Sequence, residues 1–391
     1  DFYSTNAIAS ATITLQHCRY SNPCSIDKDV SMSKVSVVVA NYNNAHYLGK
    51  CLDSLLAQSF YDFEVLVFDD CSTDSSRELI SGYTSRDKRF KLIALPENMG
   101  IAYVRSICLE HCSGDYVAVL DADDYAHPQR LKLQAAYLDA HPDSVIVGSD
   151  YGVIDSDGKL KKHRKVVPVT DTELRWRLSI GNVYIHSTVM FRRVAALTAG
   201  GYDPNIECSE DMDIYCRLMP LGKLASIPKP LAYWRTHHSS YSKREPAKIL
   251  TGTYKVLINN AKTILHKDIT PSEAEALFDY SGSSAKTLAD YLSALQLLQQ
   301  YRSLYWQQYT SKSERHILQR CYIISLLTLR KRNRKQAWFP EVADTTNNSI
   351  REAVKLKGYT WFLDPHFKTS SRNLIRSEEH TSELQSHHDL V

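Results

Sequence analysis

The sequence predicts an α/β fold: a mostly parallel sheet with helices on both faces, followed by a helical C-terminal extension. Three observations lead there. Short β-branched apolar runs alternate with amphipathic helical stretches from Lys34 to about Ser149. Carboxylates and amides gather where those runs end, as they do at the ligand-binding edge of such sheets. Beyond Tyr241 the pattern turns helical.

Taken in order, Val35 to Ala40 is a β-branched run of strand length and reads as a buried strand. Leu48, Cys51, Leu52, Leu55 and Leu56 then recur at helical spacing. Val65 to Phe68 is the second strand, and a second helix follows Asp74. Phe90 to Leu95 and Tyr116 to Leu120 supply two more strands, with a helix from about Ala102 to His111 between them. A further helix follows Pro128, and Val145 to Val147 closes the series. From Tyr151 to Trp234 short strands and helices mix. Thr270 to Glu273 is a capping box with proline in the first turn, and Leu288, Leu292, Leu295 and Leu298 continue at helical spacing.

The chain therefore divides into a leader over 1–33, an α/β domain over 34–242, a helical region over 243–375 and a tail over 376–391. Met32 stands directly before the first strong strand, so the leader reads as non-native or disordered. The run from Arg376 to Ser386 matches the conceptual translation of a common sequencing-library adapter, so the tail reads as an artefact.

Composition excludes several classes. A chain of 391 residues, 43% hydrophobic and 23% charged, can bury a large core without staples. A net charge of +3 is too mild for nucleic-acid binding by bulk electrostatics. The nine cysteines include no Cys-x-x-Cys pair; Cys108 and Cys112 share a helical face but lack zinc spacing. They read as reduced, mostly buried thiols of a cytoplasmic protein. No apolar run approaches the roughly 18 residues needed to span a bilayer, and Asp1 to Ser31 lacks the pattern of a secretory signal.

Asp121-Ala122-Asp123 follows an apolar strand that would hold its carboxylates at the sheet edge. Oxygen ligands of this kind suit Mg²⁺ or Mn²⁺ shared with substrate phosphates, although aspartate also favours turns for its own sake. Glu210-Asp211 opens a helical stretch, where an acid serves either as a reactive group or as a partner of the helix dipole.

Together, Val35 to Asn43, Asp69 to Asp74, Asn98 to Gly100, Gly114 to Asp124 and Ser209 to Asp211 resemble glycosyltransferase family 2 in order and spacing, over roughly Lys34 to Ser242. The resemblance implies a GT-A fold and a metal-dependent, inverting transfer of a sugar. The donor would be a nucleoside diphosphate sugar, a UDP-sugar first. The acceptor would be a hydroxyl of a glycan or lipid-linked molecule, in cell-surface polysaccharide or glycolipid synthesis. By the same resemblance Tyr42 and Asp70 contact the nucleobase, and Ala40, Asn98 and Ala122 fall in nucleotide-contacting segments. Arg105 lies near the nucleotide, and Asp121 faces the ribose or a metal-bound water. Asp123 ligates the Mg²⁺ or Mn²⁺ that bridges the two phosphates, and Asp211 is the general base. Trp234 to Ser240 resembles the family's Arg-x-His-x-x-Ser segment, making His237 a metal ligand or phosphate contact and Arg235 a phosphate neighbour; the other reading is a histidine-rich surface loop. His186 goes to the acceptor side or the core. Ala40, where relatives carry a hydroxyl, and Ser106, where asparagine often stands, depart from the pattern.

The chemistry agrees. A divalent ion neutralises the leaving diphosphate, a positioned carboxylate takes the acceptor's proton, and a single base attacking opposite the leaving group inverts the anomeric carbon. A nucleotidyltransferase would show a glycine- and basic-rich loop after the first strand, which Asn41 to His46 is not. A catalytically inactive sugar-nucleotide-binding protein would not need Asp121, Asp123 and Asp211 intact. An oxidoreductase fails for want of Gly-x-Gly-x-x-Gly. Arg330 to Lys335 follows an apolar helix ending at Leu329. It reads either as peripheral contact with the inner face of the membrane, near a lipid-linked acceptor, or as cations at a helix C-terminus.

Overall fold

The computed structural model describes residues 33–164, 170–278 and 285–355; all of the expected leader but its last residue, and all of the expected tail, lie outside them. Among the described residues nine strands form one sheet: β1 (Val35–Asn41), β2 (Phe63–Asp69), β3 (Phe90–Ala94), β4 (Tyr116–Val119), β5 (Tyr125–Ala126), β6 (Ser144–Ile154), β7 (Leu160–Arg164), β8 (Met190–Arg192) and β9 (Lys223–Arg235). Their order is β3-β2-β1-β4-β8-β6-β9-β5, with β7 paired to β6.

The first four strands run parallel, as the strand–helix alternation predicts. The second half of the sheet is mixed. β8 lies antiparallel between β4 and β6, β9 runs parallel to β6, and β5 and β7 are antiparallel to β9 and β6. The short apolar run near Val145 is the beginning of an 11-residue strand that is buried throughout.

Alternation along β1 divides the interior, since successive side chains point to opposite faces. Val35, Val37 and Val39 pack with Leu48, Leu52 and Leu55 of α1 (Ala45–Leu56) and with Ile80 of α2 (Ser76–Arg86). Val38 faces the other way, toward Val104 and Cys108 of α3 (Ile101–His111). Leu131 and Leu138 of α4 (Arg130–Ala140) join the first core. α5 (Asp171–Leu178), α6 (Arg193–Thr198) and α7 (Glu210–Leu218) contribute to the second.

The helical region consists of α8 (Tyr241–Arg244), α9 (Pro246–Leu265), α10 (Pro271–Leu277), α11 (Leu288–Gln308), α12 (Lys312–Asn333) and α13 (Ala343–Lys355). α10 opens on the expected capping box of Thr270 and Glu273. These helices extend the second core. The Trp176 indole N–H donates to Ser325 Oγ at 2.9 Å, Ser179 and Tyr305 share a hydroxyl hydrogen bond of 2.7 Å, and Arg320 pairs with Glu173.

This packing covers the apolar side of the helix that precedes the basic run. Tyr322, Ile323, Leu326 and Leu329 of α12 are buried in the core. Arg332 donates to the carbonyls of Phe278 and Ala276, leaving Lys331, Arg334 and Lys335 exposed. A basic edge remains, without the apolar face beside it. Among the described residues no helix is long and apolar enough to cross a membrane.

Where β1 and β4 begin, Gly114 donates its N–H to Ser36 Oγ at 2.9 Å, and a Cβ there would lie 2.6 Å from Ser36 N. Gly114→Ala is therefore expected to destabilise the protein by about 1–3 kcal/mol, as overpacking does. It should lower the urea midpoint without changing the slope. An unchanged midpoint would show that the strands can separate there without loss.

Candidate active site

The acidic turn forms where β4 ends. The Asp124 N–H donates to the Asp121 carbonyl at 3.0 Å, closing the turn. Asp124 itself points inward and is fully buried, accepting from the Ser187 hydroxyl and from the Arg235 N–H at 2.7 Å. Burial, then the neighbouring Asp123 and Asp121 charges, push its carboxyl well above the usual range. Behind the turn, buried Arg130 donates to the carbonyls of Val119 and Val189 at 2.8 and 2.9 Å. That bond pair stitches the end of β4 to the approach of β8.

Arg235 lies beneath the acidic turn. It is fully buried, and its guanidinium donates to the carbonyls of Asp123 at 2.6 Å, Ser156 at 2.9 Å and Asp155 at 3.2 Å, over the Tyr47 ring. Those bonds fasten the acidic turn, while Nη2 is buried with no partner among the described residues. His237, two residues on, is buried too, which removes the surface-loop reading. Its Nε2 lies 2.9 Å from Asp123 Oδ2, and its Nδ1 lies 2.8 Å from Ser239 Oγ. Tyr47 packs against the imidazole.

The expected nucleotide residues gather at the ends of β1 to β4. Asp70 is buried, and its two carboxylate oxygens accept the N–H groups of Met99 and Gly100 at 2.7 and 2.9 Å. Asn98 Nδ2 donates to the Asp70 carbonyl at 3.3 Å, closing the same loop. Each carboxylate oxygen keeps a second lone pair for a ligand donor. Tyr42 is exposed. It precedes Asn43, whose left-handed backbone turns the chain into α1 and whose Oδ1 accepts from Thr73 N at 2.8 Å. Ala40 is half-buried and packs on the second core. The Ala122 methyl packs into the first core, so the backbone is what this residue offers a ligand.

A second cluster of the candidate site surrounds Arg105. Its guanidinium donates to Asp121 Oδ1 at 2.8 Å and pairs with Glu210. Asp211 adjoins Glu210, accepting from Asn182 Nδ2 at 2.9 Å and from the Met212 N–H at 2.7 Å. Two carboxyl groups thus pair with one buried cation, and a third, Asp211, lies within reach of its charge. Burial, the largest effect, raises Glu210 to about 7 despite its pairing with Arg105. Burial likewise lifts Asp121 and Asp211 above the usual carboxylate range, and Arg105 opposes it. Burial by itself disfavours the Arg105 charge, but Glu210 and Asp121 outweigh it and hold the guanidinium protonated. His186 belongs to the core: its ring sits between the hydroxyls of Tyr215 at 2.6 Å and Tyr202 at 3.1 Å, and burial drives its pKa down.

Several residues had escaped the sequence. Glu210 is visible beside Asp211, but nothing in the chain says that it, like Asp121, would share Arg105. Asn182, Ser187 and Arg130 sit in stretches without a motif.

A family model described as Glycosyl transferase family 2 matches residues 36–198. EpsE of Bacillus subtilis, named as a glycosyltransferase, is 32% identical over 192 residues, covering 48% of this chain and 68% of that one. The amylovoran biosynthesis glycosyltransferase AmsE of Erwinia amylovora is 27% identical over 212 residues, covering 54% of this chain and 79% of that one. The crystal structure of S. aureus TarS 1–349 superposes with a TM-score of 0.51 at 20% identity, covering 80% of this chain and 91% of that one, a likeness of fold. The fold and these relatives define a glycosyltransferase. The chain belongs to glycosyltransferase family 2, with the GT-A architecture.

The Glu210 cluster predicts a pH dependence of stability. A carboxyl held at about 7 when folded, against an ordinary 4.5, binds its proton more tightly in the folded state. That stability is complete below pH about 4.5 and is lost as pH rises through about 7. The unliganded protein should therefore melt at progressively lower temperature across that window, and Glu210→Gln should flatten the slope. Identical slopes for the two proteins would contradict the assignment.

Proposed function

We propose that this glycosyltransferase is metal-dependent and inverting, moving a sugar from a nucleoside diphosphate sugar, a UDP-sugar first, to an acceptor hydroxyl in polysaccharide or glycolipid synthesis. One observation carries the reading. Arg105 joins the acidic turn after β4 to Glu210, the chain neighbour of Asp211, and its charge reaches the Asp211 carboxyl. AmsE, whose name assigns it to amylovoran biosynthesis, supports the polymer-building context.

Asp123 Oδ2 and His237 Nε2 lie 2.9 Å apart as hydrogen-bond partners, an oxygen and a nitrogen that together suit Mn²⁺ or Mg²⁺. Among the described residues no group of three or more protein ligands converges. That fits an ion completing its shell with diphosphate oxygens and water. Bound there, the ion would supply charge neutralisation for the departing diphosphate.

The rest is done by the chain. Asp211 accepts the proton of the acceptor hydroxyl while that oxygen attacks the anomeric carbon. The bond from that carbon to the diphosphate oxygen breaks, and the nucleoside diphosphate leaves with the electron pair. Attack opposite the leaving group inverts the centre. Asn182 and the Met212 N–H hold the Asp211 carboxylate in place, and a raised carboxyl is a stronger base than a free aspartate. Asp70, Asn98 and Tyr42 would receive the nucleoside at the ends of β1 to β3.

Asp211→Asn is expected to reduce transfer by about 10²–10⁴-fold, the range for loss of a general base. Binding of UDP, read by calorimetry, should stay near that of the parent. Normal turnover in this variant would refute the base. Excess chelator should abolish transfer, and UDP should raise the melting temperature more in Mn²⁺ than in chelator, as a ligand of the native state does. Full activity in chelator would remove the role given to Asp123 and His237.

A further inference from the structure

The base stands two residues after a strained turn, and that turn is held by a helix beyond the stretch that the family model matches, 36–198. Ser209 has φ +64° and ψ 25°, the left-handed conformation that non-glycine residues rarely adopt. It occupies the N-cap of α7, where a serine hydroxyl normally accepts from the first turn of its own helix. Here it makes no such bond. The hydroxyl turns away to α9, sharing a hydrogen bond of 2.9 Å with Thr253 Oγ1 and donating to the Ile249 carbonyl at 3.4 Å.

The preceding residue is pinned as well. α9 presses against Cys208 so closely that a Cβ on Gly252 would lie 2.3 Å from the Cys208 carbonyl oxygen and 2.9 Å from its carbonyl carbon. Backbone cannot yield at such a distance, so only glycine permits the approach. From the other side, Cys208 Sγ meets the Tyr241 hydroxyl of α8 at 3.2 Å. The direction in which the chain leaves Ser209 fixes where Glu210 and Asp211 point: the first to Arg105, the second to Asn182.

We propose that α9 sets the catalytic base, with Ser209, Gly252 and Thr253 as positioning residues that impose the left-handed turn from which Glu210 and Asp211 project. The inference rests on Asp211 being the base. It gives the C-terminal helices a part in catalysis without contact with the substrate.

Ser209 offers a test whose order is set by backbone preference alone. Glycine adopts the left-handed turn freely, whereas a β-branched residue resists it. Ser209→Gly should retain most of kcat, and Ser209→Val should lose about 10²-fold, the effect of a small misplacement of a reacting group. Gly252→Ala should fall with Ser209→Val. In all three, UDP affinity and donor KM should stay within about threefold of the parent, since turnover alone is affected when an interaction serves only the transition state. Should Gly252→Ala fail to fold, Thr253→Val replaces it, with Thr253→Ser as the rescue. Asp211→Asn is assayed in parallel. Parental kcat in Ser209→Val and Gly252→Ala beside an inactive Asp211→Asn would overturn the positioning role and leave the base standing. Normal turnover in Asp211→Asn would remove the base itself. Loss of UDP binding together with kcat in Ser209→Val would also overturn the proposal, because it would mark general collapse.

Discussion

A single buried guanidinium holds the two ends of this active site together. Arg105 reaches from α3 to Asp121, at the carboxyl end of β4, and to Glu210, at the start of α7. A buried charge left without its partner is strongly destabilising, so each carboxylate fixes the place of the other through the arginine. The acidic turn and the loop around Asp70 stand on the first four strands. The segment that presents Asp211 comes some ninety residues later in the chain, and Arg105 makes the two one site. Crowding three acids around one cation also has a chemical consequence: the carboxyls are held above their usual range, which favours proton acceptance by Asp211.

The mixed half of the sheet has a corresponding purpose. The acidic turn carries Asp121 and Asp123 outward, partly exposed, while Asp124 goes inward. That inward carboxyl is received by Ser187 ahead of β8 and by Arg235 at the end of β9. The antiparallel β8 and the long β9 thus bring later segments beneath a turn made by the parallel strands. His237 arrives beside Asp123 by the same route, since it follows β9 by two residues. The helical region then closes the arrangement from behind, sharing the core of α5 and α7.

Much of this was legible in the residues. β1 is predicted as Val35 to Ala40 and found as Val35–Asn41; β4 is predicted as Tyr116 to Leu120 and found as Tyr116–Val119. Buried parallel strands are continuous β-branched runs, so their signal is local. The helix at Glu210 and the capping box at Thr270 are also written locally. What could not be read depends on partners far away in sequence. The burial of Arg235 follows from carbonyls of Asp123 and Asp155, and no spacing rule shows that an arginine will bind distant backbone. The burial of the apolar helix before the basic run depends on partners that cannot be seen from the run itself. Ser209 stands at an N-cap, and the approach of α9 at Gly252 and Thr253, invisible from the segment itself, is what takes its hydroxyl elsewhere.

The central claim is that the turn after β4 and Asp211 line one reaction centre. A crystal structure with an unreactive UDP-sugar analogue and Mn²⁺ tests it most directly. The account predicts the ion between Asp123, His237 and the diphosphate, with the anomeric carbon open to Asp211 from the side opposite the leaving oxygen. A nucleotide bound away from the ends of β1 to β4, or an anomeric carbon screened from Asp211, would contradict it.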